Sequence, residues 1–378
     1  MKSPICDMLG IEFPLLAFSH CRDVVAAVSR AGGFGVLGAT AHSPESVERE
    51  LKWIDDHVDG KPYGIDVLIP ENISTAGESN VTWKTLEARI SQEHRDFTRD
   101  LLKQHGVELT TTNVADNQPQ PFDAKIALEV LDASFRHPIR LIANALGPAP
   151  ALLIERAREC GVPCAGLVGA PEHAVRQLEA GVDIVIASGY EAGGHTGEIG
   201  TIVLVPEVIA AVEGRVPVLA AGGIVNGRQM AAAIALGATG VWTGSVWLTT
   251  HEAETSGFIR EKILHATSRD VVRSRARTGK PARQLRTAWH DAWEGPSSPG
   301  TLPMPLMSMV SRVALARIEE AAEGGHEGAR KLASYYAGQG VGLMTESKSA
   351  AGVVRAFMEE FAEAYEALRG AVEDDVAV

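Results

Sequence analysis

The 378-residue sequence predicts an α/β protein whose strands close into a (β/α)8, or TIM, barrel. Eight short apolar runs recur along it, each bounded by Gly, Pro or polar turn residues, and helical patterns separate most of them. The runs cover residues 15–18, 35–37, 63–69, 140–145, 163–168, 183–187, 216–220 and 240–243. Most are apolar throughout rather than alternating, which suits parallel strands buried on both faces. An open, doubly wound sheet is the alternative reading of the same βα alternation.

The helical stretches follow in order. Residues 21–30 and 44–57 come after the first two strands, the second with Ser43 as N-cap and Pro44 at the first helical position. Residues 150–160, 171–180, 206–212 and 227–236 follow later strands. Residues 70–138 are too long for one crossover and hold a charged helical stretch, 83–105, and a polar loop, 110–121. An insertion after a barrel strand lies at the catalytic face and shapes substrate entry. Beyond residue 253 the chain reads as helical and polar, with a Pro/Ser-rich loop at 295–305 and an acidic terminal helix at 349–374. The expected organisation is a barrel over 1–252 carrying the insertion, and a C-terminal helical extension over 253–378 packed on it.

A net charge of −13 argues against a nucleic-acid partner, because phosphate-backbone binding needs a basic surface. The one basic run, Arg273, Arg275, Arg277, Lys280, Arg283 and Arg286, reads first as a solvated loop and second as an anion site. Cys6, Cys21, Cys160 and Cys164 lack paired CxxC spacing and read as reduced packing thiols, so a cytoplasmic protein is expected. No apolar run reaches the length of a membrane span, and no HExxH or Walker A pattern suggests a metal or a nucleoside triphosphate.

Three segments carry chemistry. Gly189-Tyr190-Glu191-Ala192-Gly193-Gly194-His195-Thr196-Gly197 follows the sixth candidate strand, at the barrel end where active sites are built. Its glycines let backbone approach a flat ligand closely, and a histidine held there titrates near neutral pH and moves a proton at carbon. A flexible loop with a solvated histidine is the plainer reading. Val218-Leu-Ala-Ala-Gly222-Gly223 runs into a helix, and Gly240-Val-Trp242-Thr243-Gly244-Ser245 repeats that design after the eighth strand. Bare backbone N–H groups at two successive strand ends are the expected phosphate site of a barrel.

Together these segments resemble the nitronate monooxygenase family, formerly called 2-nitropropane dioxygenases. Tyr63-Gly-Ile-Asp66-Val-Leu-Ile-Pro70 and Ala337-Gly-Gln-Gly-Val-Gly-Leu343 extend the resemblance over most of the chain. It implies an FMN-dependent oxidoreductase acting on a small-molecule substrate with O2. His195 would be the catalytic base, Gly193 and Gly194 would pass the flavin, and Gly222, Gly223, Trp242, Thr243, Gly244 and Ser245 would hold its phosphate. Asp66 stands where the family usually has a flavin-contacting asparagine, Ser188 where many members have glutamine, and Ala17-Phe18-Ser19-His20 replaces the usual Ala-Pro-Met. The EAGGH stretch is shared with flavin-dependent enoyl reductases and NADH:quinone reductases. An NAD(P)H-dependent reductase therefore stays open, as does a flavin-free phosphosugar lyase, isomerase or phosphate-ligand binder. His20, Glu191 and Gln339 are secondary candidates, Glu191 as a brace for the loop. The oligomeric state is open, a homodimer being one expectation.

Overall fold

In the computed structural model, which describes residues 1–40, 42–69, 83–108, 124–145 and 147–376, eight parallel strands close into a barrel. They are β1 (Leu15–Ser19), β2 (Phe34–Gly38), β3 (Tyr63–Val67), β4 (Ile142–Asn144), β5 (Cys164–Val168), β6 (Ile184–Ser188), β8 (Val218–Ala221) and β9 (Gly240–Thr243), with β9 pairing back onto β1. Each expected strand is present, with ends shifted by a few residues, and the barrel is confirmed over the open sheet. Strand period assigns the side chains. Leu16, Val36, Ala143, Ile186, Leu219 and Trp242 pack inside the barrel. Their neighbours Ala17, Leu37, Ile142, Val185, Val218 and Val241 pack against the surrounding helices. The short helix Pro4–Leu9 adds Ile5, Cys6 and Leu9 to the interior cluster, at the end away from the site.

Helix Pro44–His57 begins as expected, with Ser43 Oγ accepting the Ser46 N–H at 3.2 Å. The helix expected at 206–212 begins earlier, at Thr201, and contains Pro206. The charged stretch 83–105 is two helices, Trp83–Glu87 and Gln92–Gln104, and the polar loop at 110–121 lies outside the described residues. Helix Gln92–Gln104 docks on the C-terminal extension, where the Phe97 ring meets Trp293 edge-on at 4.8 Å. Among the described residues no helix is long and apolar enough to cross a membrane.

The extension corrects one expectation. It is not purely helical: β10 (Val271–Ser274) and β11 (Ala282–Leu285) form an antiparallel sheet with β7 (Gly194–His195), a two-residue strand inside the loop that follows β6. These strands are short, charged and stabilised by pairing with a distant loop, so no local periodicity announces them. Farther on, helix Ala350–Val376 lies along helix Gly227–Ala235, where Glu360 accepts the Gly227 N–H at 2.9 Å.

Candidate active site

The loop between β6 and helix Thr201–Val212 is positioned by close backbone passages. A Cβ on Gly189 would lie 2.2 Å from Thr201 Oγ1, and one on Gly193 would lie 2.9 Å from the backbone of Ala337 and Gly338. Only glycine lets the loop run between the helix start and the 337–340 turn. Glu191 braces it from within. Its carboxylate accepts the Thr201 N–H at 2.8 Å and hydroxyl at 2.7 Å, and its carbonyl accepts the Gln339 N–H at 2.9 Å. A carboxylate at a helix start is favoured by the unpaired N–H groups there.

Arg283, a residue missed in reading the sequence as a solvated basic run, lies under the same loop. It is 2% exposed, donates to the Tyr190 carbonyl from Nε at 3.1 Å and Nη2 at 2.9 Å, and sits 4.3 Å over the Tyr190 ring. Arg273 lies over the same ring at 5.6 Å, and Arg277 lies over Tyr336 at 4.6 Å. The run therefore holds loops together, while Arg275 and Arg286 are exposed as expected. No sequence signal marked Arg283, because all four residues of β11, polar and apolar, are buried.

His195 stands opposite Ala282 in the small sheet. Its Nδ1 is 3.3 Å from the Pro281 carbonyl. A carbonyl only accepts, so the neutral ring keeps its proton on Nδ1 and leaves Nε2 with a free lone pair. Desolvation by the surrounding protein lowers the imidazole pKa, Lys280 lowers it further, and the Pro281 bond opposes both. The ring is solvent-accessible yet neutral at neutral pH, in the form a base needs.

His195 lines a cavity of about 390 Å³ at the C-terminal mouth of the barrel, shared with Ala145, Pro148, Val168, Ser188 and Lys280. His173 and Arg176 also reach it. The cavity lies beyond β4, β5 and β6, so His195 and Ser188 meet there. Gly193 and Gly194 precede His195 on the same loop, and the other expected site residues lie on or just after β3, β8 and β9, outside the cavity lining.

Just after β8, Gly222 and Gly223 turn with φ of 110° and 71°, and among the described residues neither donates its N–H to a backbone carbonyl. Space beside Gly244 and Gly194 is open, since a Cβ on either would meet nothing within 4 Å. Ser245 Oγ accepts the Gly338 N–H at 2.8 Å, which ties the strand end to the 337–343 turn. Trp242 is buried inside the barrel and stacks on Phe18 at 6.2 Å. Thr243 faces outward, and its hydroxyl donates to the Leu16 carbonyl at 3.0 Å and lies 3.0 Å from Trp247 Nε1, so that side chain is committed to the wall. Asp66 points inward from β3 and is 2% exposed, with no hydrogen-bond partner at Oδ1 among the described residues. His20 Nδ1 is held 2.8 Å from the Gly38 carbonyl, a structural bond.

The nitronate monooxygenase family model matches residues 2–360. The chain belongs to the nitronate monooxygenase family. Rv1533 of Mycobacterium tuberculosis, whose name proposes a monooxygenase, is 51% identical over 375 residues, covering 99% of this chain and 100% of that one. Nitroalkane oxidase from Streptomyces ansochromogenes superposes with a TM-score of 0.78 at 26% identity, covering 96% of this chain and 99% of that one. FabK from Thermotoga maritima superposes at 0.71 and 26% identity, covering 98% and 99%. The resemblance carried by the three motifs is thus borne out, and the protein is an oxidoreductase of a family concerned with the oxidation of nitro compounds.

Proposed function

We propose that this nitronate monooxygenase family member binds FMN and uses O2 to oxidise alkyl nitronates to a carbonyl compound and nitrite, with His195 as the base when a neutral nitroalkane is the substrate. The observation that carries the reading is the neutral His195 ring, with Nδ1 on the Pro281 carbonyl, at the wall of a cavity at the C-terminal barrel mouth.

The residues present fit a phosphorylated, ring-bearing cofactor. The backbone N–H groups of Gly222 and Gly223 and the open space at Gly244 suit its phosphate, with Ser245 and Thr243 shaping the strand end around it. Gly193, Gly194 and Ser188 would border its ring, with Trp242 forming part of the floor. An orphaned polar atom on Asp66 supplies an unfilled polar position inside the mouth. When bound, FMN supplies the electron-accepting chemistry that no side chain provides.

His195 would take the α-proton of a nitroalkane on Nε2. The Pro281 carbonyl opposing Nδ1 then favours the imidazolium that forms, because both ring nitrogens become donors. Lys280, on the same cavity wall, would attract the resulting nitronate anion. Ala145, Pro148, Leu167 and Val168 give that wall an apolar surface that limits water around the reacting carbon.

A second reading, an NAD(P)H-dependent reductase of a quinone or enoyl thioester, is favoured by the cations Arg176 and Lys280 on the cavity, which suit a phosphorylated reductant. Anaerobic mixing of the FMN-loaded protein with propane-2-nitronate, NADH and NADPH separates the two. Bleaching by the nitronate and not by the pyridine nucleotides is the expected result, and rapid bleaching by NADH or NADPH would sink the first reading.

A further inference from the structure

Asp66 stands apart among the acidic side chains. It is the inward-facing residue near the top of β3, between Gly38 of β2 and Ala143 of β4 in the sheet register. Its outward neighbours Ile65 and Val67 pack against the helices, which leaves the carboxyl directed into the barrel. The residue is 2% exposed, and its buried Oδ1 has no hydrogen-bond partner among the described residues. The groups facing it explain why. The inward-facing residues on the flanking strands are Val36, Gly38, Leu141 and Ala143, all without charge. His20, reaching over from the end of β1, is tied to the Gly38 carbonyl. Asp55, on helix Pro44–His57, is turned to Tyr63 and His137 on the outer side of the strand.

A carboxylate in such a place lacks the cation or N–H donors that would stabilise it, so the uncharged acid is the favoured form. Burial accordingly pushes the Asp66 carboxyl well above the usual carboxylate range, and desolvation is the whole cause. A neutral carboxyl differs from a carboxylate in one functional respect, which is that it carries an O–H donor.

We propose that Asp66 is held as a neutral carboxylic acid in the folded protein and offers its O–H to an acceptor on the bound flavin, the place a carboxamide N–H donor would otherwise fill. This rests on the flavin reading above. An aspartate here then adds no negative charge beside an anionic cofactor, and the exchange of asparagine for aspartate at this position conserves donor function. The acid acts by binding and orienting the cofactor, and it transfers no proton in turnover.

The test has two independent arms. Infrared spectra of the cofactor-free protein at neutral pH should show a protonated-carboxyl C=O band that shifts in D2O and is absent from Asp66→Asn. Absence of that band from the wild type would overturn the proposal. FMN affinity, followed by quenching of flavin fluorescence, should change less than about three-fold in Asp66→Asn and fall at least ten-fold in Asp66→Leu. The wild-type affinity should fall as pH rises through the raised pKa, while that of Asp66→Asn stays level. Equal affinity for the Leu and Asn variants would overturn the donor role. Wild-type protein that takes up no FMN at any pH would overturn the flavin reading and the donor role with it, and the infrared band would still decide the protonation state by itself.

Discussion

Replacing Arg283 by Met tests whether a buried cation holds the loop that carries His195 in place. The guanidinium gives two N–H bonds to one carbonyl, Tyr190 O, at 3.1 and 2.9 Å, and covers the Tyr190 ring at 4.3 Å. Bonds from a charged donor contribute about 1.5–3 kcal/mol each, and a desolvated cation–π contact about 2 kcal/mol. Set against these, Arg283 is buried without an ion-pair partner among the described residues, so its removal recovers a desolvation cost of several kcal/mol. The opposing contributions nearly cancel, and the expected net destabilisation is about 1–3 kcal/mol, measured by urea denaturation.

Activity should suffer more than stability. Arg283 pairs with Gly194 in the small sheet, one residue from His195, and a displacement of about 1 Å at a reacting group costs on the order of 100-fold. Arg283→Met should therefore lose 30- to 300-fold in kcat/KM with the preferred nitro substrate (about 2–3.4 kcal/mol). Arg283→Lys keeps the charge but loses the fork, and it should be nearly as impaired. Unchanged kcat/KM in both variants would refute the argument that Arg283 positions the loop.

Three further outcomes are expected. His195→Asn should lower turnover of a neutral nitroalkane by about 10²–10⁴-fold and leave preformed nitronate much less affected, because only the former needs a base. Equal losses on both substrates would remove proton transfer from its role. The pH profile for the neutral nitroalkane should rise as His195 deprotonates and level off before neutrality, since desolvation lowers its pKa below 6.5. A limb rising through pH 7 or above would contradict that. Relative to Asp66→Asn, wild-type stability should fall by about 1.4 kcal/mol per pH unit from roughly pH 4 up to the raised folded pKa of Asp66. The sign follows from Asp66, whose folded pKa is raised: the folded state keeps a proton that the unfolded chain releases, so the stabilisation present at acid pH is lost as pH climbs toward the folded value. Asp66→Asn should lack this slope, and identical pH dependences, read from chemical denaturation, would count against it.

The barrel was legible because eight apolar runs separated by helical segments leave few ways to bury both faces of every strand. His195 stood out in the sequence because glycines surround it beyond β6, and the structure sets it on the wall of the cavity. Other features were set by partners far away in sequence. Helix Thr201–Val212 starts five residues before Pro206, where a proline signals a first turn, because Glu191 caps Thr201 from ten residues upstream. β10 and β11 exist through pairing with β7, and Arg283 is buried only once that pairing forms. Thr243 follows an inward-facing tryptophan, and strand period turns its hydroxyl to the wall rather than to a phosphate. The state of Asp66 was hidden because an isolated aspartate reads as a charge until its surroundings are known.

In the proposed function, a flavin held at this barrel mouth takes electrons from a nitronate. The most direct test is stopped-flow absorbance of the FMN-loaded protein mixed anaerobically with propane-2-nitronate, followed by exposure to O2. The nitronate should bleach the flavin, and O2 should restore its colour with release of nitrite. Flavin that stays oxidised in nitronate, or a protein that takes up no FMN, would contradict it.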